Sequence, residues 1–303
     1  MPKYRHAAAG ILTLLLAGGV AAWVISERTD TSNAVDAAEL VSADYWHRAI
    51  AAFGGTEAYE LLDKASRNAS TDERHEYAHV FGGALYKAEG ADALFVCDAR
   101  FSYGCFHEFV GRAIAERGLA AAETLNDACI KGLGERSAFC QHGVGHGLQT
   151  YFGYSRKNLD EALAVCGALR GNDPIGGCSG GIFMEYNFRT MLADEGVIRV
   201  SEDVFAPCNR LTGSYLESCV FWEPQWWHES LVEDGVGRYA PGAFRLIGER
   251  CESVSESPSL VEICFRGVGN LMLSWDREVS GSLCQTATDN VDYQQLCVVT
   301  AHQ

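Results

Sequence analysis

Several things are scarce or missing in this 303-residue chain, and each absence narrows the field. Basic residues are outnumbered, 24 Lys and Arg against 40 Asp and Glu, for a net charge of -16. A surface this acidic repels phosphate backbones, which excludes nucleic acid as a partner and favours metal cations and basic ligands. No CxxC occurs, so a four-thiolate zinc site and a thioredoxin-like redox motif both fit poorly. No GxGxxG follows a strand pattern, so no dinucleotide or phosphate loop is expected. No stretch alternates polar and apolar residues as a run of strands would. With 48% hydrophobic content the chain nevertheless has ample material for a globular core.

The first residues read as a targeting element. Lys3, Arg5 and His6 precede an uncharged run of nineteen residues, Ala7 to Ile25, closed by Ser26-Glu27-Arg28. At about 1.5 Å per residue this run matches the ~30 Å hydrocarbon core. Residues 1–28 are therefore expected to be a transmembrane signal-anchor, with a cleaved secretory signal ending near Val20-Ala21-Ala22 as the alternative. No cysteine follows the run, which excludes a lipoprotein. Residues 29–40 read as a linker and 41–303 as the exported domain, facing the periplasm or cell exterior.

Twelve cysteines, all between Cys97 and Cys297, suit an oxidising compartment. They fall into six couples: Cys97 with Cys105, Cys129 with Cys140, Cys166 with Cys178, Cys208 with Cys219, Cys251 with Cys264, and Cys284 with Cys297. The members enclose 7, 10, 11, 10, 12 and 12 residues in turn, and first members recur every 32 to 43 residues, which marks an internal repeat. Helical patterns precede the first cysteine, loop residues such as RGNDPIGG separate the two, and apolar runs of helical length follow the second. Each unit is therefore expected to be an αα-hairpin with its tip stapled by a local disulfide. A seventh unit, GTEAYELLDKASRN followed by TDERHEYAHVFGGALYKAEG, lacks both cysteines and carries Tyr77 in the second slot. The fold expected is all-α, about seven hairpins in an α-solenoid or closed α-toroid. The plan resembles the disulfide-bearing Sel1-like and tetratricopeptide arrays in architecture alone, because their signature residues are absent here.

With the second cysteine as register, the positions two, six and nine residues on form one stripe, about 200° from the disulfide. That stripe carries His79, His107, His142, His146, Gln149, Asn187, Gln225 and His228, together with Met184. A face so polar in an apolar helix layer reads as the lining of a groove able to take a small molecule or peptide. Five of the nine histidines, His75, His79, His107, His142 and His146, sit on three successive second helices. His75-Glu76-Tyr77-Ala78-His79 is an HExxH, whose two imidazoles share one helix side and whose glutamate stands beside a metal-bound water. His142 and His146, within CQHGVGHG, form a second i, i+4 pair. Glu108 and Glu185 are the carboxylates placed to complete a centre. The packing alternative is that an ancestral repeat copied these histidines. Later repeats replace them freely, which argues that the fold does not need them.

Two further motifs carry less. Gly177-Cys178-Ser179-Gly180-Gly181 has the GxSxG form, but no strand leads into it and Cys178 belongs to a disulfide couple. The aromatic run from Phe221 to His228 surrounds Pro224 and reads as space-filling around a kink or as a ligand wall. Three functions follow. The first is a metal-dependent hydrolase holding Zn²⁺ on the histidines, with Glu76 or Glu185 as catalytic base. The second is a dinuclear copper or iron oxidoreductase. The third is a non-catalytic scaffold binding a protein or peptide along its groove.

Overall fold

A computed structural model of the chain describes residues 35–171, 173, 175–191 and 203–303. The expected anchor, 1–28, and the first half of the expected linker, 29–34, lie outside the described residues. Among those described, no helix is long and apolar enough to cross a membrane. They form fourteen α-helices and four short 3-10 turns, with no strand, so the all-α expectation holds.

Two helices precede the repeats, α1 (Ala37–Leu40) and α2 (Ala43–Phe53). The first falls inside the stretch expected to be linker. Asp36 and Glu39 close a capping box around it, satisfying amide groups that a free linker would leave to water. Next come α3 (Gly55–Ala65) and α4 (Thr71–Glu89), the cysteine-free hairpin. The stapled units follow with α5 (Gly104–Arg117), α6 (Leu119–Leu133), α7 (Ser137–Phe152), α8 (Arg156–Ala168) and α9 (Cys178–Met191). The chain closes with α10 (Gly213–Glu233), α11 (Pro241–Ser253), α12 (Pro258–Leu271), α13 (Arg277–Ala287) and α14 (Val291–Ala301).

All six expected disulfides form. Cys97 bonds to Cys105, Cys129 to Cys140, Cys166 to Cys178, Cys208 to Cys219, Cys251 to Cys264 and Cys284 to Cys297, with Cα atoms 5.4 to 5.7 Å apart. Four of them follow the hairpin plan: Cys129, Cys166, Cys251 and Cys284 lie on α6, α8, α11 and α13, and their partners Cys140, Cys178, Cys264 and Cys297 lie on α7, α9, α12 and α14. The other two depart from it. Gly90, at φ +75°, ends α4 only seven residues before Cys97, and the intervening Ala91–Val96 is a 3-10 turn instead of a helix. Cys208 likewise lies on a 3-10 turn, Cys208–Arg210, instead of an α-helix.

The second helices pack on one another in chain order, α4 on α5, α5 on α7, α7 on α9, α9 on α10, α10 on α12 and α12 on α14, while α2 lies on α4. Glycines set how close they come. A side chain at Gly82 would strike the carbonyl of Cys105, one at Gly145 the carbonyl of Cys178, and one at Gly181 the carbonyl of His142. The glycines of CQHGVGHG, costly in a helix by about 1 kcal/mol each relative to alanine, are therefore contact points between backbones. A single buried cluster runs the length of the array, from Trp46, Tyr59 and Phe81 through Phe106 and Phe183 to Phe265. Pro224 sits inside α10 without ending it, and Phe221, Trp222 and Trp227 around it are buried.

Candidate metal centre

The close stacking of α4, α5 and α7 brings all five histidines together. They do not converge on one point. His75, His79 and His107 form one triad whose nitrogens lie within 4.8 Å of one another, and His107, His142 and His146 form a second. His107, on the middle helix, belongs to both. A single ion shared by His79, His107 and His142, one from each helix, is therefore not the arrangement; the five divide between two sets.

In the first triad His79 Nε2 stands 3.0 Å from His75 Nε2 and 3.3 Å from His107 Nδ1. Nitrogens bound to one tetrahedral ion at ~2.0 Å stand about 3.3 Å apart, so these separations match a ligand set. His75 Nδ1 donates to the carbonyl of Phe101 at 2.9 Å, leaving Nε2 as the lone-pair nitrogen. That carbonyl is presented by an unusual backbone: Phe101, Ser102 and Tyr103 all have positive φ, 58°, 49° and 64°. Left-handed conformations cost non-glycine residues on the order of 1–3 kcal/mol each, and such strain concentrates at functional sites. Gly104 follows, and a Cβ there would lie 2.6 Å from the His75 carbonyl and 3.0 Å from a ring carbon of His79. Only glycine lets α5 begin this near the pair.

In the second triad every histidine is buried. His146 Nδ1 donates to Glu185 Oε2 at 2.9 Å, while its Nε2 is buried without a hydrogen-bond partner. A carboxylate behind an imidazole, fixing the tautomer and aiming the other nitrogen inward, is the usual support of a metal-binding histidine. Glu185 Oε1 in turn accepts from Tyr154 at 2.8 Å and from Arg189 at 3.1 Å. Burial pushes the Glu185 carboxyl up, but the bonds from His146, Tyr154 and Arg189 outweigh it and hold the group at about 2. Trp222 lies against His142, ring centroids 5.3 Å apart, and the Met184 sulfur is 3.4 Å from His142 Nε2.

Burial, then the neighbouring imidazoles, lowers His79 to about 3 and holds His107 and His142 well below the ordinary histidine value. Burial lowers His75 as well, against the opposing bond to Phe101. These rings are neutral at physiological pH, the form that binds metal.

The two triads differ in access. A solvent-open cavity of about 800 Å³ lies beside the first, lined by His79, Gly83, Lys87, Glu108 and Arg112 among others, whereas the three histidines of the second, here called the enclosed triad, are all buried. Glu108 pairs with Arg112 at 2.6 Å, and burial raises its carboxyl in spite of that partner. Glu76 is exposed and joins neither triad. Cys208, Cys219 and Glu223 also come together, but their sulfurs are bonded to each other and offer no thiolate.

Sequence reasoning found the five histidines and Glu185 but missed the supports: the Phe101 carbonyl, Tyr154, Arg189, Trp222 and Met184. Of these Met184 left a trace as a member of the stripe, and Trp222 as a member of the aromatic run read as a ligand wall. The chain matches no known protein family, no curated protein and no solved structure.

Proposed function

We propose that this is an extracytoplasmic metalloprotein, a disulfide-stapled α-solenoid held to the membrane by residues 1–28, whose histidine centre carries two transition-metal ions in redox chemistry on a small molecule. The observation that carries the reading is the buried, partnerless Nε2 of His146, aimed among neutral imidazoles while Glu185 grips its other nitrogen. A polar atom stranded this way costs about 1–3 kcal/mol, which a bound ion recovers. Six disulfides suit the oxidising compartment, and the chain-order packing of the second helices suits the solenoid.

Oxidoreductase is preferred to hydrolase because both named bases are lost. Glu76 faces solvent. Glu185 accepts from His146, Tyr154, Thr150 and Arg189 and is too acidic, at about 2, to take a proton at neutral pH. The donor set that remains is imidazole, which suits copper and iron as well as zinc. The open triad beside the cavity is where a substrate reaches the metal; the enclosed triad stores charge or tunes its neighbour. One observation favours a second reading: Glu108, raised by burial and lining the same cavity, would replace Glu76 as the base of a zinc hydrolase.

Metal analysis of the full chain, purified in detergent with its disulfides intact, tests both. Copper or iron at one to two ions per chain, with an electron paramagnetic signal altered by His107→Ala, is expected. Zinc alone would favour the hydrolase, and a chain that binds none of the three would sink the metal reading.

A further inference from the structure

Met184 packs against the hydrophobic core, and from there it brings the one thioether of this region to the second triad. It lies on α9, six residues beyond Cys178, on the same stripe as the histidines, and its sulfur faces His142 Nε2 at 3.4 Å. A thioether is a weak hydrogen-bond acceptor, so a buried imidazole N–H spent on it gains little. If that nitrogen instead carries its lone pair, two lone pairs confront each other with nothing between them to hold them there. A cation resolves the conflict. Ligands ~2.0 Å (nitrogen) and ~2.3 Å (sulfur) from one tetrahedral ion stand about 3.5 Å apart, close to the spacing found here.

The character of the set then points to one ion. Three imidazoles and a thioether are all neutral, and thioether sulfur is a soft donor that selects Cu(I) among the biological first-row metals. The histidines of this triad are buried, and the Trp222 indole lies against His142 and helps keep water away. The cost of burying an ion rises with the square of its charge, so an enclosed neutral site holds a monovalent ion at a fraction of the penalty of a divalent one. Glu185 stands behind His146 and is matched by Arg189, and Glu108 is paired with Arg112, so neither reverses this preference.

We infer that Met184 is a metal ligand, and that with His107, His142 and His146 it makes the enclosed half of the centre a copper(I) site. This rests on the reading of the histidines as a metal centre and adds the metal's identity and a fourth ligand. The open triad, without sulfur, keeps no such preference.

Competition titrations separate the two claims. The full chain and its Met184→Leu variant, which keeps the side-chain volume, are titrated with Cu(I) under anaerobic conditions and separately with Zn(II), each against a chromophoric chelator. The expected result is a loss of at least tenfold in Cu(I) affinity in Met184→Leu with Zn(II) affinity changed less than threefold. Equal Cu(I) affinity in both proteins overturns the assignment of Met184 and leaves the histidine centre standing. A wild-type chain that binds neither ion overturns both. X-ray absorption at the copper edge of the wild-type protein decides the matter even if the variant fails to fold. A sulfur scatterer at ~2.3 Å supports the ligand, and a shell of nitrogen alone refutes it.

Discussion

Acid should loosen this protein well before its carboxylates begin to titrate. His79 is held at about 3, and His75, His107 and His142 are also lowered. In the unfolded chain each returns to about 6.5 and takes up a proton as the pH falls below that value. Between the two values the unfolded state binds more protons than the native one, so stability rises with pH and is lost on acidification. For His79 alone the loss between pH 7 and pH 5 is about 2 kcal/mol, growing to about 4 kcal/mol near pH 3, where the native ring also titrates. The other three act in the same direction. Total stability of a domain is typically about 5–15 kcal/mol, so the effect is large. Glu185 contributes in a separate, lower window: its stabilisation is complete above about 4.5 and is lost as the pH falls towards about 2. Urea unfolding of the metal-free, disulfide-intact chain, followed by far-ultraviolet circular dichroism at pH 7, 6 and 5, measures the histidine window apart from that of Glu185. The midpoint should fall steadily, and His79→Gln should flatten the slope by the His79 share. A midpoint that stays level from pH 7 to pH 5 would refute the neutral, buried cluster.

Other perturbations test single supports. Glu185→Gln removes the carboxylate that orients His146 and should weaken metal binding by about 10- to 100-fold, read by chelator competition, with the helical circular dichroism signal kept. Glu76→Gln, on the exposed face of α4, should leave metal content unchanged; a loss would restore the HExxH base. Gly181→Ala drives a methyl group into the His142 carbonyl and should cost about 1–3 kcal/mol in urea unfolding, with metal affinity falling alongside. Replacing Cys97 and Cys105 together by serine frees the loop that presents the Phe101 carbonyl to His75. In the chain-entropy model this short closure contributes about 2.5 kcal/mol, so a lower unfolding midpoint and weaker binding at the open triad are expected together.

The cysteines made the fold legible. Their couples are local, so each bond had to close a single loop, and helical patterns on either side left little room for anything but a stapled hairpin. The Cys129 to Cys140 and Cys251 to Cys264 bonds show this plainly, each joining the helix before the loop to the helix after it. What escaped was set by distance along the chain and not by pattern. Between Gly90 and Cys97 the six residues form a 3-10 turn where the repeat analogy put an α-helix. The glycines of CQHGVGHG announced a close approach, but the partner, the carbonyl of Cys178 across the helix pair, is set by packing. Helix α1 arose from a capping box inside a stretch whose composition is that of a linker.

The site was half legible for a related reason. Helical register places His75 with His79 and His142 with His146, because residues four apart share a face. Register says nothing about how neighbouring helices are rotated against each other, and that rotation decides whether five imidazoles meet at one point or two. The close contacts of Gly82 with the Cys105 carbonyl and of Gly143 with the Phe106 carbonyl fix it, seating His107 between the pairs. Glu185 shows the same limit from the other side: a lone acid in an apolar stretch signals a buried partner, as proved true, but only the arrangement of α7 and α9 makes that partner His146. The identity of the donors thus lay in the sequence, and their division of labour lay in the packing. His107 is the residue on which the two meet, the one histidine without an i, i+4 companion and the one that both triads require. Its loss should therefore impair both halves of the centre, whereas loss of His75 or His146 should impair only its own.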